Sequence, residues 1–155
     1  MLRSPPLDSK DVDQMTEHGR HIELLTKLHF LSAPPEMGSI DCKFTYSADD
    51  PFAVCIRLMV TADRGVTWVV GRDLLYAGVE RPNGEGDFKV WPTRGPHGRS
   101  LLYLRLEVPE GSATFVADLT VVRRWLEDTY AMVPSGSEGT YLDWDALTES
   151  LLPPV

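Results

Sequence analysis

Few residues in this sequence have the types and spacing that chemistry requires. His18 and His21 stand beside Glu17 and Glu23, and these four side chains could in principle ligate a metal ion. However, His18 falls in a polar amino-terminal stretch, and metal ligands need a supporting shell that holds them in place. We therefore expect no metal site and interpret these side chains as exposed to solvent.

Catalytic motifs are also missing from the sequence. The adjacent Asp49 and Asp50 precede Pro51, where a turn is much commoner than a catalytic pair of carboxylates. The GSEG segment at residues 136–139 lacks the spacing of a nucleophile elbow. Because no acid, base and nucleophile come together, we expect no catalytic residue, no cofactor and no enzymatic activity.

Residues 81–94, RPNGEGDFKVWPTR, allow three interpretations. The first is a phosphate cradle built on Gly84 and Gly86. It fails because a cradle needs a helix amino terminus behind the glycines, whereas this chain continues with the alternation of a strand. The second is a nucleic-acid surface, and the third is a hairpin, for which Asn83-Gly84 is a strong turn dipeptide.

The nucleic-acid interpretation depends on basic residues that surround a tryptophan: Arg81, Lys89, Trp91, Arg94 and Arg99. Binders of single strands stack bases on aromatic rings above a basic groove. The formal net charge of −8, from 15 basic and 23 acidic residues, argues against this function, since a polyanion is bound through clustered cations. In the competing interpretation, Trp91 packs between sheet and helix and the basic residues form a solvated rim.

The composition is that of one globular domain. The chain has 155 residues, of which 43% are apolar and 25% charged. No apolar stretch reaches the roughly 20 residues that span a bilayer, and no secretory signal is apparent, so we expect a cytoplasmic protein. Cys42 and Cys55 form no C-x-x-C motif, which excludes an all-cysteine zinc site.

The elements follow from hydrophobic periodicity. Residues 1–19 show no period and predict a flexible tail, followed by a single domain over residues 20–155. Alternating apolar residues predict strands at residues 22–30, 40–46 and 52–60. If Tyr46 faces Phe52 across the intervening turn, Phe44 faces Val54 and all apolar faces match. This register leaves Cys42 and Cys55 on opposite faces of the hairpin and makes a disulfide between them improbable.

The remaining chain adds further strands and then helices. We predict a strand at VTWVV, a short helix over GRDLLYAG closed by Gly78, a strand around Phe88 and Val90, and a strand whose even positions from Leu102 to Val108 share one side. A strand at ATFV precedes a helix capped by Asp118. One face of that helix carries Leu119, Val122, Leu126, Tyr130 and Val133. The PSGSEG segment is interpreted as a linker, and a final helix is capped by Asp143. This order predicts an α+β fold with about seven to eight antiparallel strands and carboxy-terminal helices.

Some apolar residues remain outside this predicted core. Leu101 and Tyr103 lie opposite the Leu102 face of their strand, and Trp125 lies off the main stripe of its helix. Large exposed apolar patches usually mark interfaces. These residues therefore support association with another chain.

Three segments, YSADDPFAV, TWVVGRDLLYAGVERPNGEGDFKVWPTR and VPEG, resemble the signature segments of the SsgA-like proteins. These are actinobacterial regulators of sporulation-specific cell division. The resemblance runs from about His21 to the end and leaves out the amino-terminal tail. The signature positions here are Trp68, Arg72, Asp73, Leu74, Gly78, Pro82, Gly84, Gly86, Trp91 and Pro92.

The resemblance implies a fold and a function. Family members are not enzymatic, and the resemblance supplies no catalytic residue. SsgB-type members help recruit the division protein FtsZ to the septum, SsgA-type members position SsgB, and others act in spore-wall assembly. The implied fold is Whirly-like, with two antiparallel sheets and a helical part, and assembles as an oligomer, with a trimer favoured. For Arg72 and Asp73, a structural pair that closes the strand-to-helix turn is as good an explanation as a partner contact.

Two classes of function therefore remain: an adaptor at the septum, and a binder of single-stranded nucleic acid on the related fold. An adaptor in spore-wall assembly, within the same family, is a third alternative. The partner-binding candidates are Arg94, His97 and Arg99, which lie in a loop at residues 93–99 that contains no acid. Such a positive island could steer an acidic partner such as FtsZ. The alternative is a solvated connection in which these side chains bind nothing. The next candidates are the sheet edge near Arg57 and the helix face around Arg123 and Arg124.

Overall fold

Eight strands and two helices make up the regular structure in a computed structural model of the protein, which describes residues 20–31, 38–59, 63–109 and 111–142. The strands are β1 (His21–Phe30), β2 (Ser39–Ser47), β3 (Ala53–Met59), β4 (Gly65–Gly71), β5 (Asn83–Glu85), β6 (Phe88–Arg94), β7 (Ser100–Val108) and β8 (Gly111–Asp118). The helices are α1 (Arg72–Glu80) and α2 (Leu119–Met132). The predicted tail at residues 1–19 and the predicted helix after Asp143 lie outside the described residues.

All eight strands join one antiparallel sheet in the order β4-β3-β2-β1-β8-β7-β6-β5. Two consecutive meanders, β1 to β4 and β5 to β8, meet where Phe30 of β1 pairs with Phe115 of β8. Their rings stack there with centroids 5.2 Å apart. The predicted α+β class with antiparallel strands is confirmed, and the two expected sheets are the two halves of one sheet.

The core face of the first half contains the alternating residues that the sequence predicts, with Cys42, Phe44 and Tyr46 all buried. The predicted register is wrong by two residues, however, because Phe44 faces Ile56 rather than Val54. The turn is wider than expected: β3 begins at Ala53, and the side chain of Phe52 is 53% exposed. A shift of two residues preserves the faces, so Cys55 still lies opposite the Cys42 side, and both are free thiols.

Helix α1 does not end at Gly78 as predicted but continues to Glu80. Gly78 is buried within the helix, where a Cβ atom would lie 2.2 Å from Cγ1 of Val90. The glycine therefore permits close packing of α1 on β6 and does not act as a cap. The helix stops before Pro82, since a residue that precedes proline disfavours the helical conformation.

The turn of the β5–β6 hairpin also differs from the prediction. Asn83 and Gly84 lie within β5, where they pair with Val90 and Lys89. The chain reverses at Gly86 instead, whose φ of 60° suits glycine. The hairpin interpretation of residues 81–94 is confirmed, with its turn placed later in the chain.

Helix α2 begins as predicted, because the Asp118 carboxylate accepts hydrogen bonds from the amides of Thr120 (3.0 Å) and Val121 (3.3 Å). Its predicted apolar stripe is buried, apart from the half-buried Tyr130. Trp125 is also buried, contrary to the prediction, and packs edge-on against Phe44 with ring centroids 5.8 Å apart. This tryptophan therefore belongs to the core and does not supply an interface.

Replacing Gly78 tests the close packing of α1. We expect Gly78→Ala to lower the free energy of unfolding by about 1–3 kcal/mol, the usual cost of overpacking, although alanine gains up to about 1 kcal/mol of helix propensity. Urea denaturation measures the effect. In the Val90→Ala background, the same substitution should be neutral or stabilising. Equal destabilisation in both backgrounds would contradict the role of this contact.

Candidate partner-docking site

A cluster of buried polar residues surrounds Arg72, whose side chain is completely buried. Nη1 donates hydrogen bonds to the carbonyl oxygens of Thr129 (3.0 Å) and Val133 (2.8 Å), at the end of α2. Nη2 donates to Oε1 of Glu138 at 2.8 Å. The guanidinium carbon lies 4.0 Å from the centroid of the Tyr130 ring. This arrangement neutralises a buried cation and joins three segments of the chain.

Glu138 corrects the prediction that PSGSEG is a linker. Its side chain is buried, and Oε2 accepts a hydrogen bond from the amide of Gly136 at 2.9 Å. Hydrogen bonds from backbone amides, its own first, hold the pKa of Glu138 below its ordinary value, and Arg72 acts in the same direction against the effect of burial. The carboxylate therefore remains ionised beside the guanidinium.

Asp73 does not pair with Arg72 to close the strand-to-helix turn, as was considered from the sequence. Its Oδ1 atom accepts a hydrogen bond from the hydroxyl of Tyr130 instead. Burial, and then this hydrogen bond, raise the pKa of Tyr130, so its hydroxyl remains a donor. Both signature residues thus form contacts that connect α1 to α2.

Other candidates for chemistry are either unassembled or inert. Among the described residues, no group of three or more His, Cys, Asp or Glu side chains could hold a metal ion. His18 and Glu17 lie outside that part of the chain. Burial raises the pKa of the Cys42 thiol to about 12, so it is unreactive at neutral pH. Asp49 and Asp50 lie in a turn, as predicted.

Three predicted partner-binding residues, Arg94, His97 and Arg99, come together at the end of the β6–β7 hairpin. All three are exposed, and none forms an ion pair within the described ranges. The connection is shorter than the predicted loop, since β6 continues to Arg94 and β7 starts at Ser100. The amide of Gly95 donates to the carbonyl oxygen of Arg99 at 2.7 Å and closes the turn. We name Arg94, His97 and Arg99 the basic hairpin.

The basic hairpin is continuous with one of the two alternative docking surfaces, the helix face around Arg123 and Arg124. Arg94 and Arg123 line the same open groove, of about 500 Å³, together with Glu80 near the end of α1. The first turns of α2 therefore extend the basic hairpin. Arg57 lies apart from it on β3, where Nη1 is 3.4 Å from the hydroxyl oxygen of Thr67.

Trp91 does not pack between the sheet and a helix. Its neighbour Val90 contributes to the core, whereas Trp91 projects from the other face of the sheet and stacks on Tyr103 with ring centroids 5.4 Å apart. Two cations share that face, but both lie near Glu107, with Lys89 at 3.8 Å and Arg105 at 3.6 Å from its Oε1 atom. The ring pair is therefore not surrounded by unpaired positive charge.

Sequence reasoning missed a groove between α1 and α2, with a volume of about 590 Å³. Its lining residues are Asp73, Tyr76, Ala77, Glu80, Arg81, Glu127, Tyr130, Pro134 and Ser135. The Tyr76 and Tyr130 rings meet edge to face with centroids 5.0 Å apart. We name this feature the helix groove. A signal for it exists in the sequence, because Asp73, Tyr76 and Glu80 are spaced to share one face of a helix.

Removing the Glu138 carboxylate should destabilise the protein. We expect Glu138→Ala to lower the free energy of unfolding by about 3–5 kcal/mol, since it leaves a buried cation unpaired. Urea denaturation at neutral pH measures this cost, with the exposed Glu127→Ala as the control.

The same carboxylate gives a pH test. Because the folded state lowers the pKa of Glu138 below 4.5, its stabilising contribution is complete above that value. It is lost as the pH falls through the folded-state pKa. The stability difference from Glu138→Gln should therefore shrink in acid, and a constant difference would contradict the ionised pair.

Comparison with known proteins places the chain in a family. Residues 40–138 match the family described as "Streptomyces sporulation and cell division protein, SsgA". The sporulation-specific cell division protein SsgB of Thermobifida fusca is 38% identical over 104 residues, which cover 67% of this chain and 75% of that protein. SsgB of Streptomyces coelicolor is 40% identical over 100 residues, covering 64% of this chain and 72% of that protein.

The fold agrees with a solved structure. The crystal structure of an SsgA-like sporulation-specific cell division protein from Thermobifida fusca superposes with a TM-score of 0.74 at 31% identity, covering 87% of this chain and 98% of that one. No helix in the described part of the chain is long and apolar enough to cross a bilayer. The signature residues, the fold and the matched sequences agree, and the chain belongs to the SsgA family of sporulation and cell division proteins.

Proposed function

We propose that the protein is a non-enzymatic adaptor in sporulation-specific cell division, which docks an acidic septal protein on the basic hairpin. The partner would be FtsZ or another SsgA-like protein, and the protein would act at the division septum. One observation carries the proposal: Arg94, His97 and Arg99 are exposed together on a chain with a net charge of −8. A positive island on an acidic protein steers an acidic partner and determines its orientation.

The internal contacts of two signature residues support this proposal. Arg72 and Asp73 make contacts inside the protein. Arg123 extends the basic hairpin along the groove that it shares with Arg94. The related proteins are named for sporulation-specific cell division, which supports a role in that process.

Homo-oligomerisation, with a trimer favoured, is part of the proposal. Trp125 no longer supports it, since that side chain is buried. Leu25 and Val69 support it better, because their side chains are 71% and 62% exposed. Both lie on the face of the first half that is turned away from the core, as the strand register shows. Exposed apolar surface of this kind commonly becomes an interface between subunits.

A second candidate function, binding of single-stranded nucleic acid, has one favourable observation: the exposed side of the Trp91–Tyr103 stack could hold a base. The proximity of Glu107 to Lys89 and Arg105 weakens that candidate. We expect negligible binding of a mixed oligonucleotide at physiological salt in a fluorescence-anisotropy titration, and Trp91→Ala should give the same result. Sub-micromolar binding that weakens steeply with added salt would support the second candidate.

Charge reversal at the basic hairpin tests the proposed function. We expect Arg94→Glu combined with Arg99→Glu to reduce capture of purified FtsZ about tenfold at low salt and to weaken its dependence on salt. Thermal stability should change little, since substitutions of exposed charges usually stay within about 0.5 kcal/mol.

A matched control makes the same change in net charge at two other positions. Arg20→Glu combined with Lys89→Glu reverses two exposed cations outside the basic hairpin and should leave capture intact. If both double variants capture FtsZ equally well, the basic hairpin is not the docking surface. The pull-down should then be repeated with a second SsgA-like protein as the bait.

A further inference from the structure

The helix groove has the opposite chemistry to the basic hairpin. Three carboxylates line it, from Asp73, Glu80 and Glu127, and Arg81 is its one cation. Glu80 and Glu127 are exposed and have no ion pair within the described ranges. The groove therefore carries negative charge that these parts of the chain leave uncompensated.

The apolar part of the helix groove is formed by Tyr76, Tyr130, Ala77 and Pro134. One of these rings already receives a guanidinium within the protein, since Arg72 lies 4.0 Å from the centroid of Tyr130. Aromatic rings attract such cations through their negative faces. The combination of rings, short apolar side chains and carboxylates suits a side chain with an apolar stem and a cationic end.

We propose that the helix groove binds a basic segment of a protein partner, with an arginine or lysine between Glu80 and Glu127. Charge complementarity selects this occupant. The chain's own last segment, residues 143–155, is a poor alternative because it contains three acidic residues and no basic one. At about 590 Å³ the groove has room for several adjoining side chains, which favours a peptide segment over a single small cation.

This inference goes beyond the proposed function and does not depend on it. The helix groove and the basic hairpin have opposite charge. Glu80 lines both the helix groove and the groove that Arg94 shares with Arg123. The acidic helix groove thus lies next to the groove that contains Arg94 and Arg123.

A peptide titration tests the proposal on the full-length protein. The probe is a short fluorescent helical peptide of alanine and leucine with two arginines one helical turn apart. The control peptide has glutamates in place of the arginines. We expect the protein to bind the arginine peptide with an affinity that falls as salt rises, and to leave the glutamate peptide unbound.

Two variants with equal charge change locate the site. We expect Glu127→Lys to weaken binding of the arginine peptide about tenfold. Asp128→Lys, at an exposed neighbouring position that does not line the groove, should change it less than about twofold. The Arg94→Glu and Arg99→Glu double variant should bind the peptide as the wild type does, which separates this proposal from the basic hairpin.

Several results would overturn the proposal. Equal loss in Glu127→Lys and Asp128→Lys would show a general effect of net charge. Failure of the wild type to bind, or equal binding of both peptides, would show that the groove does not select a basic segment. If the wild type leaves the peptide unbound but self-associates in sedimentation, and Glu127→Lys abolishes that association, the occupant is a second copy of this chain.

Discussion

The burial of one charge, the guanidinium of Arg72, constrains the arrangement around both helices. An ion removed from water costs several kcal/mol unless its donors are paired. Here the acceptors are Thr129 and Val133 at the end of α2 and Glu138 in the segment that follows this helix. The carbonyl groups at the end of a helix carry partial negative charge, which suits a cation. The start of α1, the end of α2 and residues 134–138 must therefore meet at one place, and the helix groove lies over that junction.

Elements with a local signal could be predicted from the sequence. The alternation of apolar residues identified the face of β2 that contains Phe44 as the core face. This assignment is correct although the predicted register is wrong by two residues, because side chains on a strand repeat with a period of two. The cap at Asp118 is local as well. The prediction that Gly78 ends the helix is wrong because glycine is needed there for close contact with Val90, which lies in another element. The helical periodicity of α2 predicted only one buried face and left Trp125 outside it. Because α2 contacts both β1 and β7, more than one face of the helix is buried.

The same distinction explains what could be predicted of the site. The basic hairpin comprises exposed residues close together in the chain, so their juxtaposition follows from a turn. Glu138 is separated from Arg72 by 66 residues and lies in a segment rich in serine and glycine, where composition indicates a loop. The helix groove likewise needs two helices that are distant in the chain and meet through contacts of Arg72, Asp73 and Tyr76. In neither case does the local sequence pattern show which distant residue or helix will be in contact.

The net charge of −8 describes neither surface. Glu107 lies close enough to Lys89 and Arg105 to offset their charge, whereas Arg94 and Arg99 have no such neighbour among the described ion pairs. Glu80 lines both the helix groove and the groove that contains Arg94, and its charge would repel an acidic partner at the basic hairpin. A cation bound in the helix groove would neutralise the charge of Glu80. This would reduce the repulsion between Glu80 and an acidic partner within about 8 Å, the screening distance in physiological salt. If both proposals hold, each partner should raise the affinity of the other by the same factor, because coupling between two binding sites is reciprocal.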